Sequence, residues 1–116
     1  MSRDVKIFLE DILVNIEKIE GFITGLNKVE FAEDEKTHET VVRKLEIIGE
    51  AVKQIPEQVR LLAPDVEWKK IAGARDIFIH AYWSVNIGRV WNMINEELPV
   101  LKTAIKNILG ELENEK

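Results

Sequence analysis

The stretch IGRVWNMINEELPVLKTAIKNI, residues 87–108, sets apolar side chains at Ile87, Trp91, Ile94, Leu98, Leu101, Ile105 and Ile108. These alternating spacings of four and three trace one face of an α-helix, and a stripe this long requires a long apolar partner. Pro99 disfavours helical geometry at Leu98, so the spacing predicts a kink or break there, with two helices meeting at an angle. The same periodicity recurs at Val5, Phe8, Leu9, Ile12, Ile16, Ile19 and Ile23, with Ser2 as a plausible cap and an end near Gly25. No run alternates with a period of two for long enough to make a strand. The expected fold is all-α, a four- to five-helix up-down bundle.

Between these stripes, Leu26 to Glu35 reads as a polar, irregular connection. A second helix begins near Asp34 or Thr37, buries Val41, Val42, Leu45, Ile48, Val52 and Ile55, and is stopped by Pro56. Pro56 starts a short helix through Leu62. Pro64-Asp65 then breaks and restarts the chain with Asp65 as cap, and Trp68, Ile71, Ala72 and Phe78 form the next buried face. The acidic tail from Gly110 to Lys116 is expected to fray.

A chain of 116 residues, 46% hydrophobic, supports one domain, residues 1–116, with one core. Cysteine is absent, which excludes disulfides, thiolate metal sites and cysteine nucleophiles. Apolar runs fall far short of the roughly 18 residues of a membrane span, and the N-terminus opens directly into an amphipathic pattern. The reading is a soluble, unprocessed, cytoplasmic protein. A net charge of -5 argues against a general nucleic-acid binder. Its distribution qualifies that: Trp68 to Val90 holds Lys69, Lys70, Arg75 and Arg89 against Asp76 alone, a local +3, leaving -8 elsewhere. Lys69, Lys70 and Arg89 are therefore the candidate nucleic-acid-contacting residues.

The basic excess coincides with the one segment rich in chemistry, Arg75-Asp76-Ile77-Phe78-Ile79-His80-Ala81-Tyr82. An imidazole moves protons near neutral pH and a guanidinium holds phosphate. Asp76, one helical turn before His80, is placed to fix the ring's tautomer. Arg75 is five positions from His80, about 140° round an ideal helix, so the two converge only through a bent arginine, a distorted helix or a second molecule. Metal-free cleavage of a phosphodiester needs one proton acceptor and one proton donor. Each chain offers His80; His38 has no recognisable companion. A symmetric dimer facing two His80 and two Arg75 into one cleft would supply both groups, with apolar surface from Trp83 or Trp91 at the interface. The bland alternatives stay open: Arg75 paired to Glu46 or Asp76, Tyr82 as an interface anchor, and Arg43, Glu46 and Glu50 as a solvated strip rather than a device orienting the arginine.

Arg-x4-His-x-Tyr with a polar residue after the arginine resembles the signature of HEPN-domain ribonucleases, in particular the HepT-like toxin branch. Arg43 to Ala51, Trp68, Ile71-Ala72-Gly73 and Leu98-Pro99 are similar to the same branch. The resemblance implies a HEPN-type bundle, a homodimer whose motifs meet across the interface, and metal-independent cleavage of structured cellular RNA such as tRNA without a cofactor. Catalytic residues would be Arg75, His80 and Asp76. It further implies a type VII-like toxin-antitoxin pair in which an MntA-type nucleotidyltransferase adenylylates Tyr82.

Two rival readings stand beside it. One is a non-catalytic HEPN interaction module that dimerises and binds a nucleotidyltransferase. The other, a metal-carboxylate bundle, needs paired Glu-x-x-His motifs; Glu35 precedes His38 by three, but Ile77 holds that place before His80.

Overall fold

Each long apolar stripe becomes a helical rod in the computed structural model, which describes residues 3–74 and 83–114, residues 83–86 by backbone alone. Helix α1, Arg3–Ile23, buries Val5, Leu9, Ile12, Ile16 and Ile19. It ends as its sequence predicts: the Leu26 N–H donates to the Ile23 carbonyl at 2.9 Å, and Gly25 takes φ +81°, a conformation strained for any side chain with a Cβ. No described residue lies in a β-strand. No described helix is long and apolar enough to cross a membrane.

The expected irregular connection after Leu26 is instead a helix, α2, Lys28–Glu33. Asn27 accepts from the Glu30 N–H at 2.8 Å while the Glu30 carboxylate accepts from the Asn27 N–H at 3.0 Å, a reciprocal cap. Phe31 is fully buried, which holds so short a helix against the body of the bundle. Phe31→Ala should therefore cost about 3–5 kcal/mol in denaturant unfolding. A loss under about 0.5 kcal/mol, as at an ordinary surface position, would refute this placement.

Helix α3, Glu35–Lys53, is capped by Asp34, whose carboxylate accepts from the Thr37 N–H at 3.1 Å and the Thr37 hydroxyl at 2.7 Å. The hydroxyl bond is the main cause holding the Asp34 carboxyl below its ordinary 3.8. Because the folded value lies below the unfolded one, the ionised cap contributes fully above 3.8 and is lost as pH falls through the lower folded value. The difference in Tm between wild type and Asp34→Ala should thus narrow on acidification below 3.8. A gap that stays constant in melts taken through that window would show that the charge contributes nothing.

Pro56 precedes the short α4, Glu57–Arg60, which ends before the expected Leu62. Helix α5, Trp68–Ala72, starts after Glu67 rather than at Asp65. The intervening turn is closed by backbone bonds from Val66 to Ala63 and from Trp68 to Val66, so Asp65 caps nothing.

The expected break at Leu98 is also replaced. Helix α6, Trp83–Asn92, runs through a π-helical turn, Met93–Glu97, directly into α7, Leu98–Asn114. Pro99 has no N–H and its ring crowds the carbonyl four residues back. The chain answers with one wide turn, the Leu98 N–H donating to Met93 five residues back. The extra residue shifts the buried face by one position. Below the turn the stripe is as read, Leu98, Leu101, Ile105 and Ile108; above it, Val90 and Met93 are buried while Ile87 and Trp91 are half-buried. The tail expected to fray is helical through Asn114.

Helix α1 lies along α3 and against α7; α2 contacts α3 and α6, and α5 packs on α3. Leu9, Ile12, Ile16 and Ile19 meet Val41, Leu45, Ile48, Val52, Leu101 and Ile105 in one continuous cluster.

Candidate functional site

Arg75, Asp76, His80 and Tyr82 lie outside the described residues, as does Phe78. What the structure describes is the pair of supports between which they are strung. On one side α5 leads to Ala74, fully buried; on the other, Trp83 opens α6.

The first support is tied down by polar bonds. Arg60 donates from Nε to the Ile55 carbonyl at 3.0 Å and from Nη2 to Val52 at 2.9 Å, satisfying carbonyls at the end of α3. Trp68 Nε1 donates to the carbonyls of Arg60 at 3.1 Å and Ala63 at 3.0 Å, fastening α5 to the turn before it. Gly49 then lets α3 approach α5 closely: a Cβ there would stand 3.0 Å from the Ile71 carbonyl oxygen and 3.4 Å from that of Ala72. Those oxygens belong to the backbone that leads into Arg75. Alanine at position 49 gains about 1 kcal/mol of helix propensity but crowds a backbone atom that cannot rotate away. The larger Gly49→Val should cost about 1–3 kcal/mol in unfolding; a variant as stable as wild type would show that the approach is not tight.

The second support bears on α2. Trp91 packs against Phe31 with ring centroids 5.1 Å apart, so this tryptophan, expected at a dimer interface, is half-buried within its own chain. The Trp83 side chain is outside the description. His38 is buried edge-on to Phe31 at 6.2 Å. It lines a pocket of about 440 Å³ with Ala32, Glu33, Glu35 and Glu39.

The three basic candidates divide. Lys69 and Arg89 are exposed, with no carboxylate partner among the described residues. Lys70 instead bonds Glu97 Oε1 at 2.5 Å, and that hydrogen bond raises its amine above the ordinary lysine value of 10.5. One cation was missed by sequence reasoning. Lys28 Nζ would stand 3.7 Å from a Cβ at Gly88, which sets its ammonium against α6 one residue from Arg89. The Asn27-x-x-Glu30 capping box was the signal that would have placed it.

On α3, Arg43 meets Glu46 at 3.5 Å and Glu50 meets Lys53 at 3.0 Å. Arg43, Glu46, Ile47 and Glu50 line a pocket of about 290 Å³ on that face. Among the described residues no three His, Cys, Asp or Glu side chains cluster as metal ligands do.

An all-α bundle with these supports around an Arg-x4-His-x-Tyr segment is of the HEPN class. The chain belongs to the HepT-like ribonuclease family: the model described as "Ribonuclease HepT-like" matches residues 12–108, a span that includes the motif. "Putative RNase MJ0127" of Methanocaldococcus jannaschii is 40% identical over 117 residues, covering 97% of this chain and 97% of that protein. "Probable ribonuclease HepT" of Thermococcus cleftensis is 43% identical over 102 residues, covering 88% and 93%. "Gamma-glutamylcyclotransferase and putative RNase MJ0434", also of M. jannaschii, is 37% identical over 116 residues, covering all of this chain and 52% of that longer protein. No solved structure matches.

Proposed function

We propose that the protein is a metal-independent endoribonuclease of the toxin type that acts as a homodimer on structured cellular RNA of the tRNA class. The observation that carries this reading is the presence of Arg75, His80 and Tyr82, at the motif's spacing, inside the segment matched to the ribonuclease family. One His80 takes the proton of a ribose 2′-hydroxyl as its oxygen bonds to phosphorus. The His80 of the second protomer gives a proton to the 5′-oxygen as the bond from phosphorus to that oxygen breaks. Both Arg75 guanidiniums stabilise charge on the pentavalent phosphorus. Asp76 orients the imidazole, and Lys69 and Arg89 hold flanking phosphates.

Regulation follows from the same geometry of charge. Adenylate placed on Tyr82 by an MntA-type nucleotidyltransferase antitoxin puts phosphate beside Arg75 and His80, occupying the place of a substrate phosphate without unfolding the chain.

Purified protein incubated with total RNA and a chelator tests the reading. Fragments ending in cyclic phosphate and 5′-hydroxyl are expected, from a particle that sediments as a dimer. A monomer, or a dimer inert toward RNA before any treatment with a nucleotidyltransferase, would leave the proposal without a mechanism.

A further inference from the structure

We infer that Glu97 is a positioning residue for the catalytic motif, acting through Lys70 to lock α5 onto the α6–α7 rod; this rests on the nuclease reading of Arg75 and His80. In sequence the motif follows α5 and precedes α6, so a contact that fixes α5 on the rod fixes the two ends between which the motif lies. Among the described residues, the ion pair of Lys70 with Glu97 is the one that joins α5 to the rod. It lies five residues before Arg75 on one side and inside the π-helical turn on the other.

The π turn is what brings Glu97 to this position. Continued as a regular helix, the lower stripe places Leu98, Ile94, Trp91 and Ile87 inward and leaves Glu97 on the flank. With the one-residue shift, Val90, Met93 and Glu97 are buried together with Ile94, while Trp91 and Ile87 are only half-buried. The Glu97 side chain is 9% exposed, whereas that of Lys70 is 54% exposed. The lysine reaches in to a carboxylate that is itself buried. Glu97 Oε2 is buried with no hydrogen-bond partner among the described residues, and among them the Lys70 ammonium on Oε1 is this carboxylate's ion-pair partner. As a stability device such a pair is poor, because desolvation offsets the Coulomb gain. As a constraint it is effective: neither the helix register nor the seat of α5 can move without stranding the carboxylate.

This assigns Lys70 away from RNA. A lysine that contacts phosphate acts on affinity and its salt dependence; a lysine that holds α5 acts on the chemical step.

The test is steady-state cleavage of bulk tRNA by Glu97→Gln, Lys70→Met and the double variant, with melts to normalise for folded protein. Each single variant should lower kcat by about 10- to 100-fold, the loss that a displacement of about 1 Å produces, with KM and its salt slope kept. The double variant should be no worse than either single one, because both remove the same bond. Lys70→Met that raises KM and flattens the salt slope, or Glu97→Gln that cleaves like wild type, would overturn the inference. Amide hydrogen exchange across residues 74–83 supplies a readout independent of cleavage and of any loss of folding. Faster exchange in Lys70→Met and Glu97→Gln supports the lock, and unchanged exchange refutes it. Wild type that cleaves nothing refutes the nuclease reading alone, while the exchange result still decides the lock.

Discussion

Alanine in place of His80 should lower RNA cleavage by about 10²–10⁴-fold while dimerisation, Tm and RNA affinity are kept. The magnitude follows from symmetry: in a paired site the substitution removes proton acceptor and proton donor together, so the loss belongs toward the upper end of that range. The wild type should show a bell-shaped pH profile in kcat/KM, the mark of one group acting deprotonated and its twin protonated. Residual activity of the alanine variant should lose both limbs. The measurement also separates enzyme from binding module. A His80→Ala protein that cleaves as well as wild type excludes His80 from the chemistry. An unmodified wild type that binds RNA or a nucleotidyltransferase yet cuts nothing favours a non-catalytic HEPN module.

Arg75→Ala should cost at least about 10²–10³-fold, the usual loss when one preorganised donor to a developing oxyanion is removed, because in a paired site both guanidiniums go together. The effect should fall on kcat, because the trigonal-bipyramidal phosphorus carries more charge than the ground-state diester. Arg75→Lys should retain part of the rate: it keeps the positive charge but loses the planar fork that grips two phosphate oxygens at once. Raised KM with unchanged kcat in Arg75→Ala would show instead that the guanidinium holds substrate and does nothing in the transition state.

Much of the fold was legible because it is local. The stripes of α1, α3 and α7 announce themselves by spacing, and Gly25 and Pro56 end helices through their own backbone chemistry. The misses have equally local signals that were outweighed. Asn27-x-x-Glu30 is a capping box in a stretch dominated by charge, and Asp65 is a good capping residue in a turn that left it no helix to cap. At the site, residue type and spacing pointed to the family whose model spans Arg75, His80 and Tyr82. Which lysine is left without an ion pair was not legible, because Lys69 and Lys70 differ only in whether a carboxylate from the rod arrives beside them.

By itself the sequence determined an all-α chain, the periodic faces that form its core, and a motif that places it among HepT-like ribonucleases. Only the tertiary structure decided that Pro99 is absorbed by a wide turn rather than a break, that this turn buries Glu97, and that Gly49 lets α3 reach the carbonyls of Ile71 and Ala72. The physical reason is range. Helical periodicity and turn chemistry are set by residues a few positions apart, whereas helix phase after an inserted residue, the burial of a charge and the closeness of two backbones depend on what packs from elsewhere in the chain.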